Sequence, residues 1–383
     1  MKSHEVAVFF VIFFTVYGLL NWYLFTHGWR ALPPGSSWRT PYLVLFLVLS
    51  LSFFAGRFLE RMWISPLSDG LVWIGSFWMG ALLYLLMAAL LVDFVRVVNA
   101  VTPFLPADLS PETPVKILGA VVLLVTLLMT AGWINAMSPV TRQIDLRIAK
   151  RANADRTYRI VAASDIHLGT IIGRRRLRHL VERINGLSPD LVLFPGDIVD
   201  EDLGPVVKEN LGEVLRDISA RDGVYGVTGN HEYIGGVEAA CRYLTEHGIV
   251  MLRDSVVRLQ NGIVLLGRED RSSRSRKSLE TMLAGTDGKA PLIVMDHQPF
   301  RLSESQAVGA DLQLSGHTHD GQLWPLNYIT AAVYEVSWGL VNKGGTAVYV
   351  SCGFGTWGPP VRIGNRPEIL DITLHFEGGG SRL

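Results

Sequence analysis

Two textures divide the chain. From Val6 to Thr141 apolar positions run on with few interruptions, and four charge-free stretches stand out: Val6 to Trp29, Thr40 to Gly56, Gly70 to Val92 and Ile117 to Thr141. A helix needs about 20 apolar residues to cross the hydrocarbon core of a bilayer. Three stretches meet that length directly, and the second meets it with Arg57 snorkelling to the interface. The spacers carry chain breakers (Pro33, Pro34 and Gly35; Pro66; Pro103, Pro106, Pro111 and Pro114). Trp22, Trp29, Trp38, Trp63 and Trp133 fall near the expected ends, where indole favours the interface. A four-helix transmembrane domain over residues 1–141 is the expectation. The first stretch is too long for a signal-peptide core, and no small-residue cleavage site comes after it. Asp93 and Arg96, at the end of the third stretch, read as an interfacial pair.

From Tyr158 the texture changes to short apolar runs alternating with helix-like segments, the pattern of βαβ units. Residues 158–383 are thus expected to form an α/β domain. Between the halves, residues 142–157, "RQIDLRIAKRANADRT", read as a basic juxtamembrane linker whose cations would lie beside anionic headgroups.

Charge changes the picture in two ways. The net charge is zero, with 35 basic and 35 acidic side chains, so nucleic acid is not favoured as a partner. An even number of spans puts Lys2, Arg57, Arg61, Arg142, Arg147, Lys150 and Arg151 on one side, against Arg30, Arg39, Arg96 and Lys116 on the other. The excess places the large domain in the cytoplasm by the positive-inside rule. The two cysteines, Cys241 and Cys352, have neither the number nor the spacing of a disulfide scaffold or a zinc finger.

The polar residues that end the apolar runs of the second half carry the candidate chemistry. "YRIVAASDIH" ends in Asp165 and His167; "DLVLFPGDIVD" in Asp197 and Asp200; "VYGVTGNHE" in Asn230, His231 and Glu232; "PLIVMDH" in His297; "DLQLSGHTH" in His317 and His319. Ligand crevices in open α/β sheets lie off the carboxyl ends of the strands, so five segments aim metal-type ligands at one place. Carboxylate, imidazole and one amide oxygen without thiolate suit two divalent ions, manganese first, with zinc, iron, cobalt, nickel or magnesium compatible. Two ions about 3.5–4 Å apart, sharing a carboxylate, would use every ligand and form a clamp for phosphoryl displacement.

The ordered set D-x-H, G-D-x-x-D, G-N-H-E, H and G-H-T-H resembles the calcineurin-like metallophosphoesterase superfamily over residues 158–383. The resemblance implies a two-sheet β-sandwich flanked by helices. It also implies Asp165, His167 and His319 on one ion, Asn230, His297 and His317 on the other, and Asp197 between them. His231 then matches the family's acid or transition-state stabiliser, and Asp200 and Glu232 would orient histidines. Asp320 stands where the resembling branch has glycine, either repelling an anionic substrate or steadying His231. The string "SCGFGTWGPPVRIGNRPEIL" is similar to a bacterial membrane-anchored branch, some of which cleave UDP-2,3-diacylglucosamine in lipid A synthesis.

That resemblance leads to a lipid-linked phosphodiester or pyrophosphate substrate and a bacterial inner-membrane location, with no protein partner inferable. The other readings are a phospholipid or polyprenyl-phosphate phosphatase and an inactive membrane sensor built on the same fold. Arg174 in "GRRRLRH" and Arg268, Arg271 and Arg274 in "GREDRSSRSRK" are candidate phosphate contacts, because guanidinium forks suit phosphate, and Arg362, in the Gly- and aromatic-rich string, is a candidate for the wall of a lipid- or base-binding pocket.

Overall fold

The computed structural model describes residues 3–106, 110–150, 152, 157–286 and 288–376. The chain divides into two compact units, Met1–Gly132 and Trp133–Leu383.

The first unit holds four helices long and apolar enough to cross a membrane: α1 (Ser3–Ala31), α2 (Arg39–Met62), α3 (Pro66–Val101) and α4 (Thr113–Ala136). Ser65 caps α3 through the backbone N–H of Ser68, and Pro66 occupies the first turn, where its missing N–H costs nothing. Small residues let α2 and α3 pack closely; a Cβ on Gly75 would meet the backbone nitrogen of Phe53 at 2.2 Å. The helices overrun the charge-free stretches because paired charges continue them. Arg57 binds Glu60 at 3.0 Å within α2. Asp93 lies well inside α3, where it accepts from Tyr23 Oη at 2.6 Å and meets His27 Nε2 at 2.9 Å. Lys2 and Arg151 of the sidedness count lie outside the described residues.

The second unit contains twelve strands among the described residues. In chain order these are β1 (Val140–Ile148), β2 (Thr157–Ala162), β3 (Leu191–Phe194), β4 (Val224–Gly226), β5 (Val250–Met251), β6 (Ser255–Arg258), β7 (Val264–Gly267), β8 (Leu292–Met295), β9 (Leu312–Ser315), β10 (Gly339–Lys343), β11 (Thr346–Val350) and β12 (Glu368–Phe376). They form two six-stranded sheets, ordered β1-β12-β2-β3-β4-β5 and β10-β11-β9-β8-β7-β6. Strands β2 to β5 run parallel, as do β7, β8, β9 and β11. Both central blocks are buried on two faces, which explains their unbroken apolar runs. Ile160, Leu193, Leu265, Ile293, Leu314 and Ile372 fill the space between the sheets. The outer face of the first sheet is covered by α5 (Arg174–Gly186), whose Leu177, Leu180 and Ile184 are fully buried.

The expected linker is different in the structure. Its first half is β1, an edge strand paired in parallel with β12 from Val140↔Glu368 to Ile148↔Phe376. Ile144, Leu146 and Ile148 turn into the core while Gln143, Asp145 and Arg147 face out. Two of its cations are also committed within the domain. Arg142 Nε reaches the buried carboxylate of Glu368 at 2.5 Å, and Lys150 Nζ reaches Asp311 Oδ2 at 2.9 Å. Residues 151 and 153–156 of that segment lie outside the described residues.

Candidate metal centre

Five loops at the carboxyl ends of β2, β3, β4, β8 and β9 carry the histidines and carboxylates singled out by the sequence. Their backbones are unusual. Asp165, His167, Asp197, His317 and His319 all have φ between 48° and 74°, a left-handed region that costs a non-glycine residue energy. Five of the seven candidate ligands are therefore held in strained turns, which aim side chains from separate strands at one point.

Glycines make the convergence sterically feasible. A Cβ on Gly229, next to Asn230, would stand 2.1 Å from Asp197 Oδ1, and one on Gly316 would stand 1.9 Å from Ser164 Oγ. Backbone donors then fix the carboxylates. Asp165 accepts from the N–H of His317 at 2.9 Å and from Ser164 Oγ at 2.5 Å, and Asp197 Oδ1 accepts from the N–H of His231 at 2.9 Å.

The ligand atoms gather in trios. Asp165, His167 and His319 form one; Asp197, His297 and His317 form another; His167, Asp200 and His231 form a third, each within 4.8 Å. Asp197 Oδ2 is 3.0 Å from His297 Nε2 and 3.9 Å from His167 Nε2, so it faces both of the first two trios. Asn230 Oδ1 lies 2.8 Å from His317 Nδ1.

Several of these contacts are hard to understand as a network of protein groups alone. His297 Nδ1 lies 2.8 Å from the carbonyl of Pro195, to which it donates. Its Nε2 is buried against a carboxylate oxygen of Asp197 at 3.0 Å with no aligned hydrogen bond. His167 Nε2 and His319 Nε2 approach to 3.1 Å with their rings nearly stacked. Imidazole nitrogens and carboxylate oxygens gathered this closely suit cations lying among them, and the donor set of imidazole, carboxylate and amide oxygen suits two divalent ions. The residues present fit such a pair.

The charge state reflects the same geometry. Burial pushes Asp165 up. Asp197 stays well below the ordinary carboxylate range although burial opposes ionisation, because His297, His231 and His167 surround it. His317 is lowered to about 4 by burial and by His297, and His319 is held well below the ordinary imidazole range by burial, His167 and Arg362. His231 behaves oppositely. Burial would lower it, but the bond to Asp200 at 3.1 Å and the charge of Asp197 bring it up to about 9.

The sequence pattern of calcineurin-like phosphoesterases matches residues 158–321. An uncharacterized metallophosphoesterase of Aquifex aeolicus is 30% identical, over 57% of this chain and 86% of that one. The chain belongs to the calcineurin-like phosphoesterase family. A transmembrane protein with metallophosphoesterase domain from Danio rerio is 32% identical over 66% of this chain and 61% of its own length. An uncharacterized metallophosphoesterase of Helicobacter pylori is 33% identical over 57% and 60%. The chain spans about three fifths of the length of those two relatives.

Within the phosphoesterase domain other expected residues have different work. Glu232 does not orient a histidine. Its carboxylate accepts from the backbone N–H groups of Asp197, Val199 and Gly229 at 3.2, 2.9 and 2.7 Å, tying the loop after β3 to the loop after β4. Among the described residues Asp320 makes no bond to His231, whose partner is Asp200. It occupies a left-handed turn (φ 49°), the conformation for which glycine is ordinarily chosen, and its carboxyl is raised by burial against the opposing effects of Asn365 and Arg362. Thr318, between the two histidines, donates to the carbonyl of Ser337 at 2.5 Å.

The arginines divide. Arg174 donates to the carbonyls of Glu209 and Asn210, and Arg268 is paired with Asp296 and Glu304. Arg274 is exposed. Arg271 lies over the ring of Phe300 at 4.1 Å; Phe300 packs on Tyr334, and Tyr334 stands 6.0 Å from His317. Arg362 is fully buried. It donates to the carbonyls of Cys352, Gly353 and Gly355, and its Nη2 lies 3.3 Å from His319 Nδ1. Its contacts hold the loop behind His319, and full burial keeps it from the wall of an open pocket. Arg362→Met is expected to strand those carbonyls and destabilise the domain by about 3 kcal/mol. The readout is a lower thermal midpoint in detergent; unchanged stability with weaker substrate binding would return Arg362 to the substrate.

Two residues escaped the sequence reading. Asp270 is fully buried, accepts from Gln298 Nε2 at 2.8 and 3.1 Å, and acts electrostatically on His297 and His317. It sits within the arginine-rich string that drew attention to cations. Asn365 donates to the carbonyls of His319 and Asp320 at 2.7 and 3.1 Å, and a lone Asn after Gly364 reads as an ordinary turn.

Proposed function

We propose that the protein is a membrane-bound dinuclear-metal phosphoesterase acting on a lipid-linked phosphodiester or pyrophosphate. The observation that carries the reading is the gathering of seven candidate ligands from five loops, six of them in two adjoining trios with Asp197 facing both and Asn230 beside His317, in a chain with four membrane-length helices. Asp165, His167 and His319 would hold one ion and Asn230, His297 and His317 the other. When bound, the ions supply an activated water nucleophile and electrophilic support for the phosphoryl oxygens. His231 contributes the proton chemistry. Its Nδ1 is engaged by Asp200, which leaves Nε2 to face substrate, and the carboxylates nearby favour the imidazolium form that can donate to a departing oxygen.

Among substrates, UDP-2,3-diacylglucosamine, cleaved to lipid X and UMP, is the sharpest candidate. Support comes from the C-terminal string's likeness to that branch and from Arg271 near the rim. The finer assignments are manganese in both sites, the bacterial inner membrane, and a cytoplasmic catalytic domain, the last supported by the basic excess on one side. No nucleic acid enters the scheme.

The experiment is a panel: detergent-purified protein, with and without EDTA and with manganese restored, on UDP-diacylglucosamine, phosphatidic acid and bis-p-nitrophenyl phosphate. EDTA is expected to abolish hydrolysis and manganese to restore it, with UMP rather than inorganic phosphate released from the first substrate. Release of inorganic phosphate from phosphatidic acid instead would make the protein a phospholipid phosphatase. Turnover of none with any divalent metal would remove the enzymatic reading.

A further inference from the structure

Beyond His319 the chain builds an apolar surface that the metal centre itself does not require. No charged residue occurs from Gly321 to Tyr334, and the helix Asn327–Val333 within it buries none of its side chains. Tyr328, Ile329 and Val333 are 66%, 60% and 58% exposed. Trp324, Trp338 and Trp357 are also substantially exposed. An apolar surface of this kind on a folded domain marks a site of contact, and tryptophan in quantity is typical of the layer where a bilayer meets water.

The surface borders the candidate metal centre. Tyr334, directly after the helix, has its ring 6.0 Å from His317, and Trp357 has its ring 6.2 Å from His231. Gly321 lies so close to the helix that a Cβ there would meet the backbone nitrogen of Asn327 at 2.3 Å.

The segment that precedes β1 indicates the covering partner. Trp133 to Ala136 close α4 and belong to the second unit. Asn135 Nδ2 donates to the carbonyls of Arg362 and Asn365 at 2.9 and 2.7 Å, while Arg366 donates to the carbonyl of Ser138 at 2.9 Å. The same loop pairs Ile363 with the backbone N–H of Trp324 at 2.7 Å and, through Asn365, supports His319. A membrane helix that ends at Ala136 puts Asn135 at an interface between lipid and water. The loop it grips also reaches Trp324 of the apolar surface through the carbonyl of Ile363.

We propose that Trp324, Tyr328, Ile329, Val333, Trp338 and Trp357 form a surface that seats in the interfacial layer of the bilayer, with the metal centre opening at headgroup height. A lipid would then present its phosphoester to the ions while its acyl chains stay in the membrane. The docking stands on this surface alone; its use for substrate rests on the phosphoesterase reading above.

The test uses the full chain in phosphatidylcholine/phosphatidylglycerol nanodiscs. Ile329→Cys and Val333→Cys carry an environment-sensitive nitrobenzoxadiazole label, with Val250→Cys on edge strand β5 as a control and wild type, whose Cys241 and Cys352 are buried, as the background. Labels at 329 and 333 are expected to emit at shorter wavelength than the control and to be quenched at least twofold by doxyl-labelled lipid. Emission and quenching equal to those at position 250 would overturn the proposal, as would a label exposed until a second protein is added. Hydrolysis of bis-p-nitrophenyl phosphate by the same samples separates the two readings. Quenched but inactive protein leaves the docking and removes the enzyme; active but unquenched protein does the reverse.

Discussion

Asp197→Asn is expected to empty the centre of both ions and to lower kcat/KM by about a thousandfold or more. The variant keeps the shape of the side chain and an oxygen able to accept the His231 N–H, so the loop after β3 retains its main restraint. It loses the one carboxylate that faces both trios, 3.0 Å from His297 and 3.9 Å from His167. A neutral amide there leaves Asp165 as the only carboxylate among the seven candidate ligands. Loss of several kcal/mol of electrostatic stabilisation corresponds to that thousandfold change. Metal content by mass spectrometry and turnover of bis-p-nitrophenyl phosphate should fall together. Two ions retained at full occupancy would mean that Asp197 does not join the sites.

His231→Ala should separate the two effects that Asp197→Asn couples. His231 is anchored through Nδ1 to Asp200, and it stands outside the two trios joined by Asp197. Both ions should remain while kcat falls by about 10²–10⁴, the usual worth of a positioned acid or base. Its edge-on packing against His167, with centroids 4.5 Å apart, also predicts little structural disturbance, because the neighbouring ring stays held by other contacts. Metal loss in parallel with turnover would instead make His231 a ligand.

The D-x-H, G-D, G-N-H and G-H-T-H strings were readable because each comes directly after an apolar strand, and chain direction alone fixes which end of a parallel strand carries its loop. Strand β1 was also readable: Ile144, Leu146 and Ile148 alternate with Gln143, Asp145 and Arg147, a period of two that the eye passes over for its charges. The work of Glu232 was not legible, since a carboxylate bound to three backbone N–H groups in two loops looks, in one dimension, like one beside a histidine. Arg362 misled for a related reason. Three carbonyl partners and full burial leave no trace in composition.

Hydrophobic pattern and spacing by themselves indicated the four membrane-length helices, the α/β character of the second half and the histidines and carboxylates just past each strand, because these depend on local periodicity; the division of those groups into ligands and helpers came from the resemblance to the calcineurin-like family. Only the tertiary structure decided which groups face one another. The partnership of Asp197 with two histidine sets, the seating of β1 beside β12 and the grip of Asn135 on the loop behind His319 join residues far apart in the chain. Such contacts arise from the folding of two sheets together, and no local sequence signal encodes the distance between them.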